Sequence, residues 1–507
     1  MVSPRPAESA SSRTGDAWGV FALALAVRLA VVAWAWGRFP AVEDGHYYDL
    51  LARRLAAGAG YTWLWPDGAV TYAAHYPVGY PALLALAYAA FGAAPAVAMT
   101  MHALLGAASA FAAHRLIDGK GVSRIRPIVA GTAVALHPAL VPYTAALMTE
   151  GVTASLLVIA VAIANGARKT ERPWPWIVAA GVAMGVATLV RPQCLLLAPV
   201  LGGLAAPSGA GARARVRRAV AMTALALGCV APWTMRNCVR MHRCALVSVN
   251  GGWNLLIGAQ TTSGSWEPVR VPAACASVWD EAGKDDCFER AARRWILADP
   301  AEWLARAPAK LSATFDYFGA GPWYLHASNG QAFDERAKER LGAVETVVCR
   351  LLLLGALVGC GRLRGEKLLA RKVVALVGAA GAITLHGWTG YAAIAVGVAM
   401  LGLRGAVRAP MVVAATAAVI AATGLVHAAF FGAGRYGLVV VPFVACLCAA
   451  TAGAGKPRLL RHLWQRGTFP SVDAARAVAG GSTMPLRKTR SAAPREESPS
   501  STEHDAG

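Results

Sequence analysis

Long apolar runs are the feature of this sequence that most constrains its fold. The first run covers residues 17–36, and about 20 apolar residues are enough to cross the hydrocarbon core of a membrane. Hydrophobic residues make up 56% of the chain and charged residues 15%, whereas soluble domains carry about 25% charged residues. The sequence therefore predicts an all-α polytopic membrane protein with about twelve transmembrane helices.

The apolar runs also predict how the chain is divided. After the first span, the predicted spans cover residues 95–116, 127–146, 150–166, 174–190, 193–206, 219–235, 344–361, 373–388, 390–403, 410–429 and 437–454. The predicted parts are a cytoplasmic N-terminal tail (1–16), an N-terminal membrane module (17–235) with a first outer loop (37–94), an exoplasmic insert (236–343), C-terminal membrane helices (344–454) and a disordered basic cytoplasmic tail (455–507). The short apolar segment 80–92 in the first outer loop is predicted to be an interfacial helix.

Basic residues indicate the orientation in the membrane. The net charge of +21 could suggest nucleic-acid binding, but the arginines lie between apolar runs rather than on one soluble face, which excludes that partner. Alternate short loops carry most of the Lys and Arg residues, as cytoplasmic loops do. Both termini are therefore predicted to be cytoplasmic, in a multi-pass protein of a bacterial cytoplasmic membrane. Cys275 and Cys287 lie in the insert and could form a disulfide if it faces an oxidising compartment.

Two adjacent carboxylates, Glu43 and Asp44, follow the first span. A charged group at the edge of the hydrocarbon region is costly unless it is paired or used, which favours a functional role. The alternative is that Asp44 only caps the N-terminus of the amphipathic helix that follows it, because aspartate satisfies the free amides of a first turn.

A few ionisable residues stand alone in apolar surroundings on the predicted outer side. They are Glu150, Arg191, Arg236 and Arg435, the last followed by Tyr436. Arginines that only fixed the orientation should avoid this side, whereas a guanidinium can hold a phosphate in a bidentate fork. The alternative for each arginine is snorkelling at the membrane interface.

A carboxylate and an anion site on the outer face favour one kind of chemistry. Nucleotide sugars are not supplied there, so the usual activated sugar donor is a polyprenyl-phosphate sugar. Arginines would stabilise the departing phosphate and a carboxylate would deprotonate the acceptor hydroxyl. Direct attack on the opposite face of the anomeric carbon would invert its configuration.

Several short motifs resemble those of the GT-C glycosyltransferases, in the branch that includes protein O-mannosyltransferases and lipid A aminoarabinose transferases. In chain order the motifs are EDGHYYDLLARRLAAGAGY, HYPVGYPALLALAYAAFG, MTE, LVRP, APWTMRN with VSVNGGWNLLIGAQ, and GRYGLVVVPF. Their order and spacing over residues 17–445 carry the resemblance. It implies an inverting transferase that moves a hexose or pentose from a polyprenyl-phosphate donor to an envelope lipid, glycan or protein.

The resemblance also implies roles for individual residues. Asp44 matches the catalytic acidic position of the first loop, with Glu43 beside it, and Glu150 matches a second acidic position. The residues that match the lipid-phosphate pocket are Arg191, Arg236 and Arg435, with Tyr436. Protein O-mannosyltransferases have the order Asp-Glu where this chain has Glu-Asp, so either Glu43 or Asp44 could be the base, and Asp44 is favoured because it begins a helix.

Three further residues are possible substrate contacts, namely Tyr48, His75 and Asn250. His75 could instead be a packed interfacial residue, and Asn250 could belong to a turn followed by a strand. No cofactor is certain, although the carboxylates could hold a divalent cation through water and phosphate oxygens. The alternative function is a transporter or flippase of lipid-linked sugars or small molecules, but such folds often consist of two related halves, and no such halves are visible here.

Overall fold

The structure of the protein is a computed structural model that describes residues 10–452 apart from residues 120, 364–366 and 385. The predicted cytoplasmic tail 455–507 and residues 1–9 of the N-terminal tail lie outside the described residues. Helices dominate the described residues, because long apolar segments favour them, and the strands there are short.

The first part of the fold carries the helices α1 Ala10–Ala35, α2 Asp44–Ala56, α3 Gly79–Phe91, α4 Pro95–Ile117, α5 Ile125–Ala135, α6 Thr149–Ala167, α7 Trp174–Val190, α8 Leu197–Leu204 and α9 Ala212–Arg240. Short 3-10 turns cover Pro142–Ala145 and Pro192–Leu196. An antiparallel hairpin, β1 Thr62–Leu64 and β2 Val70–Tyr72, lies between α2 and α3, with Trp63 opposite Thr71. The predicted interfacial helix 80–92 corresponds to α3.

The helices of the insert are α10 Gly251–Gln260, α11 Ala273–Ala276, α12 Glu281–Ala298, α13 Pro300–Ala305, α14 Ala307–Phe315 and α15 Ala320–Ser328. The last part carries α16 Glu335–Gly361, α17 Leu368–Ile383, α18 Trp388–Ala399, α19 Gly402–Arg408, α20 Met411–Ala429, α21 Gly434–Gly437 and α22 Val441–Thr451.

Seven segments among the described residues are helical, long and apolar enough to cross a membrane: Ser12–Ala35, Pro95–Ile117, Thr149–Ala167, Ala212–Arg240, Glu335–Gly361, Met411–Ala429 and Gly434–Thr451. The pair α18 and α19 would make an eighth, bent by 100°. Shorter apolar helices such as α3, α5 and α7 accompany them. The prediction of an all-α polytopic membrane protein is confirmed, and the number of about twelve spans stays a prediction.

Several predicted spans are not continuous helices, and the predicted span 390–403, for example, is broken between α18 and α19. Two other breaks lie near prolines. In the segment 127–146, α5 ends at Ala135, shortly before Pro138 and Pro142. In the segment 193–206, a 3-10 turn precedes the eight-residue helix α8. A proline lacks the backbone N–H and disfavours helical geometry in the residue before it, so both breaks lie where the chain contains prolines. Arg28 of α1 supports the first break, because its guanidinium donates to the Ala135 and Val134 carbonyls at 2.9 and 3.2 Å.

Two disulfides cross-link the insert, Cys238–Cys244 and Cys275–Cys287. The pairing of Cys275 with Cys287, which the sequence left open, is therefore present in the structure. Helices α10 and α12 pack together around Leu256, Phe288 and Ala292 to form a small apolar core. Helix α9 continues to Arg240, so the predicted boundary at residue 236 lies inside a helix.

Candidate active site

A cavity of about 1530 Å³ brings together most of the residues that the sequence singled out. Its walls come from the first outer loop, the start of α6, the end of α7, α10, α15 and the segment before α22. The sequence-predicted residues that line it are Glu43, Asp44, Tyr48, His75, Glu150, Arg191, Asn250, Arg435 and Tyr436. Arg236 is the one residue of the predicted set that does not line it.

Two carboxylates and two arginines form the charged centre of this cavity. The Asp44 carboxylate accepts a hydrogen bond from Arg435 at 2.8 Å, across 391 residues of sequence. Glu150 pairs with Arg191 at 2.8 Å and lies 3.6 Å from Nε of Arg435. The side chain of Glu150 is only 2% exposed, whereas that of Asp44 is 33% exposed. Asp44 is thus the more exposed of the two paired carboxylates, and the buried Glu150 contacts both arginines.

Tyrosine hydroxyls complete the hydrogen bonding of the two carboxylates. Tyr143 donates to Oε2 of Glu150 at 2.7 Å, and Tyr76 donates to Oδ1 of Asp44 at 3.2 Å. Burial raises the pKa of the Tyr76 phenol well above its ordinary value, so this group stays a neutral donor. The ring of Tyr436 lies 5.0 Å from Cζ of Arg191 and 5.1 Å from Cζ of Arg435, which is cation–π distance for both guanidinium groups.

Asp44 does not cap helix α2. The helix begins at Asp44, and Glu43 occupies the N-cap position without a side-chain capping hydrogen bond. The capping alternative is therefore wrong. Glu43 has a φ of 53°, a conformation that costs a residue other than glycine about 1–3 kcal/mol and often accompanies functional sites. Its exposed carboxylate lines the cavity and has no hydrogen-bond or ion-pair partner among the described residues.

Local sequence explains how the two arginines reach the cavity. Pro192 ends α7, which leaves Arg191 in an extended conformation at the end of that helix.

Arg435 lies in the glycine-rich segment 432–437, which packs directly on the backbone of α14 and the residues after it. A Cβ at Gly432 would lie 2.0 Å from the Lys310 carbonyl oxygen, and one at Gly434 would lie 2.3 Å from that of Tyr317. Only glycine lets the backbone of segment 432–437 lie this close to the backbone of residues 310–317.

Arg236 lies outside the cavity and contacts the first outer loop. Its guanidinium donates to the Ala73 and Tyr61 carbonyls at 2.8 and 2.9 Å and lies 4.7 Å from the ring of Trp233. These contacts use the arginine to brace two parts of the loop. We therefore do not include Arg236 in a phosphate site.

The predicted substrate contacts lie on the cavity wall. Burial lowers the pKa of His75, so its imidazole is neutral at neutral pH. The buried Tyr48 ring packs edge-on against Tyr76 at 5.0 Å. Asn250 precedes α10, so the chain continues as a helix and the turn-and-strand alternative is wrong. Tyr47 stacks on Tyr76 at 5.4 Å, which adds an exposed aromatic face to this side of the cavity.

Another part of the wall is apolar. It includes Leu195, Leu196 and Pro199 around the start of α8, and Val426 and Phe430 at the end of α20. These residues belong to the membrane helices or lie next to them. The cavity therefore offers a charged centre, an aromatic and amide-bearing wall, and a wall suited to hydrocarbon.

Sequence reasoning missed two residues that shape the site. Tyr143 lies seven residues before Glu150 in an apolar stretch, where a tyrosine hydroxyl was the available signal. Glu281 contacts the first outer loop from more than 200 residues away and gave no signal, because acidic residues are common in the polar insert.

No group of three or more His, Cys, Asp or Glu residues that could hold a metal ion is present in the part of the chain that the structure describes. The possible divalent cation thus stays a prediction from the sequence.

No protein-family model and no curated protein matches the chain. Among solved structures, the chain is similar to the oligosaccharyltransferase AglB of Archaeoglobus fulgidus in complex with an inhibitory peptide and a dolichol-phosphate. The identity is 14% and the TM-score 0.44, over 91% of this chain and 53% of that chain. It is also similar to ArnT of Cupriavidus metallidurans bound to undecaprenyl phosphate, with 16% identity and a TM-score of 0.36, over 87% of this chain and 78% of that chain. The chain spans about half the length of the oligosaccharyltransferase.

Proposed function

We propose that this protein is a membrane glycosyltransferase that moves a hexose or pentose from a polyprenyl-phosphate donor to an envelope lipid, glycan or protein. The observation that carries the proposal is the contact between Asp44 and Arg435 in a cavity whose wall is apolar in part. A lipid-phosphate sugar needs these three features, namely a carboxylate for the acceptor, cations for the phosphate and a hydrocarbon surface for the lipid.

In the proposed reaction, the acceptor oxygen attacks the anomeric carbon and forms the glycosidic bond. The bond from that carbon to the phosphate oxygen breaks, and the phosphate leaves with the electron pair. Asp44 takes the proton of the acceptor hydroxyl, and Arg191 and Arg435 stabilise the charge of the leaving phosphate. Glu150 keeps both arginines in place, and attack from the face opposite the phosphate inverts the anomeric configuration.

The role of Arg435 in phosphate binding can be tested with polyprenyl phosphate as the probe. In Arg435→Lys the charge remains but the planar fork is lost, so we expect binding to weaken by about tenfold, which corresponds to 1.4 kcal/mol. Native mass spectrometry of the purified protein in lipid nanodiscs measures this binding. Arg240→Lys is the matched control, because Arg240 lies at the outer end of α9 over the Tyr72 ring and does not line the cavity. Equal binding by both variants would contradict a phosphate site at Arg435.

We also propose that the cavity faces the outside of a bacterial cytoplasmic membrane, with both termini in the cytoplasm. The distribution of basic residues supports this orientation. The two disulfides of the insert also support it, because disulfides persist in oxidising compartments.

Cysteine labelling tests this orientation. The six free cysteines of the described residues are buried or half-buried, so an introduced exposed cysteine should dominate the signal. We expect Ala301→Cys in α13 to react with a membrane-impermeant maleimide on intact cells, and Arg172→Cys, between α6 and α7, to react only after permeabilisation. Labelling of both positions from the same side would contradict the proposed orientation.

A further inference from the structure

One carboxylate of the insert binds the first outer loop at three points. Glu281, the first residue of α12, accepts hydrogen bonds from the backbone amides of Ala74 and His75 at 2.6 and 2.9 Å. Its other oxygen accepts from the indole nitrogen of Trp63 at 2.5 Å. A single side chain thereby fixes the hairpin and the segment after it.

The same loop is held at its carbonyl groups by Arg236. This guanidinium binds the Ala73 and Tyr61 carbonyl oxygens, so consecutive residues 73–75 are held by a cation at the carbonyl and by a carboxylate at the amides. Hydrogen bonds to a charged side chain, such as those of Arg236 and Glu281 to this backbone segment, are stronger than hydrogen bonds between neutral groups. The contacts of Arg236 and Glu281 therefore act on the same piece of backbone.

The held segment leads directly to the charged centre of the cavity. Tyr76 follows His75, donates its hydroxyl to Asp44 and stacks on Tyr47. A shift of residues 73–75 would move Tyr76 and change the direction in which the Asp44 carboxylate points. Glu281 is thus connected to Asp44 through three consecutive residues of the loop.

The position of Glu281 is itself fixed by the insert. The disulfide Cys275–Cys287 joins the chain before and after Glu281, with a separation of 12 residues. Asp285, one turn further along α12, accepts from the Trp253 amide and pairs with Arg243, both at 3.0 Å. The disulfide and these contacts restrict the movement of the start of α12.

We propose that Glu281 and Arg236 are positioning residues that together hold residues 73–75 of the first outer loop, an arrangement that we call the clamp. Through Tyr76 the clamp orients Asp44. The Cys275–Cys287 disulfide keeps the start of α12, and with it Glu281, in place. The part that concerns sugar transfer rests on the proposed function. The clamp itself does not, because it is a statement about the order of the loop.

Hydrogen exchange of the full chain in lipid nanodiscs tests the clamp. In Glu281→Gln one carboxylate oxygen becomes an amide nitrogen, so the side chain can no longer accept from the Trp63 indole and from the Ala74 and His75 amides at once. The negative charge that strengthens these hydrogen bonds is also lost. We expect exchange at the amides of Ala74 and His75 to be at least about tenfold faster, with no change in α6. Glu302→Gln is the matched control, because Glu302 pairs with Arg306 on the exposed surface of the same insert. Unchanged exchange in Glu281→Gln would overturn the proposal.

Reduction tests the contribution of the disulfide. A dithiol such as dithiothreitol supplies two electrons and two protons to the S–S bond and is itself oxidised to a cyclic disulfide. We expect faster exchange at Ala74 and His75 after reduction, also in a Cys238→Ser, Cys244→Ser background in which only the Cys275–Cys287 bond can be reduced. Exchange that stays slow after complete reduction would overturn the role of the disulfide.

Sugar transfer and binding of polyprenyl phosphate, measured on the same variants, separate positioning from general stability. We expect Glu281→Gln to lower kcat of sugar transfer by about tenfold or more with a smaller change in KM, and Glu281→Asp, which keeps the carboxylate, to restore part of it. Binding of polyprenyl phosphate should not change, because Arg191 and Arg435 are untouched. If kcat and the binding of polyprenyl phosphate fell by the same factor in Glu281→Gln, Glu281 would only stabilise the fold. That result would overturn its positioning role. If the wild-type protein transfers no sugar, the proposed function fails, and the exchange experiment still decides whether the clamp exists.

Discussion

Replacing Asp44 with asparagine is expected to lower sugar transfer by about 10²- to 10⁴-fold, the usual cost of losing a general base. Asparagine keeps the size of the side chain and an oxygen that can accept from Tyr76, but it cannot take the proton of an acceptor hydroxyl. Because Glu43 and not Asp44 occupies the N-cap of α2, the helix should form normally. Mass spectrometry of envelope lipids, glycans and glycoproteins from a deletion strain carrying the variant measures the loss.

Glu43→Gln is the matched control for this experiment. Glu43 lies beside Asp44 on the same wall, but its carboxylate is exposed and has no partner among the described residues. We expect a milder loss of transfer in Glu43→Gln. Near-normal transfer in Asp44→Asn, together with a large loss in Glu43→Gln, would instead identify Glu43 as the base.

Replacing Glu150 with alanine is expected to destabilise the protein by about 3–5 kcal/mol, because removing one partner of a buried ion pair leaves the other charge without compensation. Glu150 contacts Arg191, Tyr143 and Arg435 at once. All three would lose a partner in the same variant. Thermal unfolding in lipid nanodiscs should show a clearly lower midpoint. Transfer should fall as well, because Arg191 loses its ion-pair partner and Arg435 keeps only Asp44.

An exposed ion pair provides the comparison for Glu150. Asp286 pairs with Arg290 on the surface of α12, with side chains 44% and 60% exposed, and exposed pairs contribute about 0–1 kcal/mol. Asp286→Asn should therefore leave the midpoint nearly unchanged. A midpoint in Glu150→Ala as high as that in Asp286→Asn would show that Glu150 does not hold the arginines.

Much of the helical framework could be predicted from the sequence, because hydropathy is a local property. The predicted spans 95–116 and 150–166 agree with α4 and α6 to within one residue at each end. The segments 127–146 and 193–206 were predicted as single spans because hydropathy averages over a window and gives no weight to the backbone geometry that Pro138, Pro142 and Pro192 impose.

Most of the residues that were predicted for the site line the cavity, but their contacts could not be predicted from the sequence. Asp44, Glu150 and Arg435 are conspicuous because ionisable residues are rare beside apolar runs. The pairing of Asp44 with Arg435 depends on packing between segments separated by 391 residues. The same limit applies to Arg236, since an arginine that faces a cavity and one that braces a loop have the same sequence signature. Glu281 lies in a polar segment where a carboxylate is ordinary.

The most direct measurement is the release of polyprenyl phosphate by the purified protein in lipid nanodiscs, supplied with polyprenyl-phosphate hexoses or pentoses and an envelope extract as acceptor. The proposed function predicts that released polyprenyl phosphate and glycosylated acceptor appear in equal amounts with the wild-type chain and that both disappear with Asp44→Asn. The contradicting result is no release with any donor, while the same protein in proteoliposomes carries lipid-linked sugar across the bilayer, which would identify a transporter.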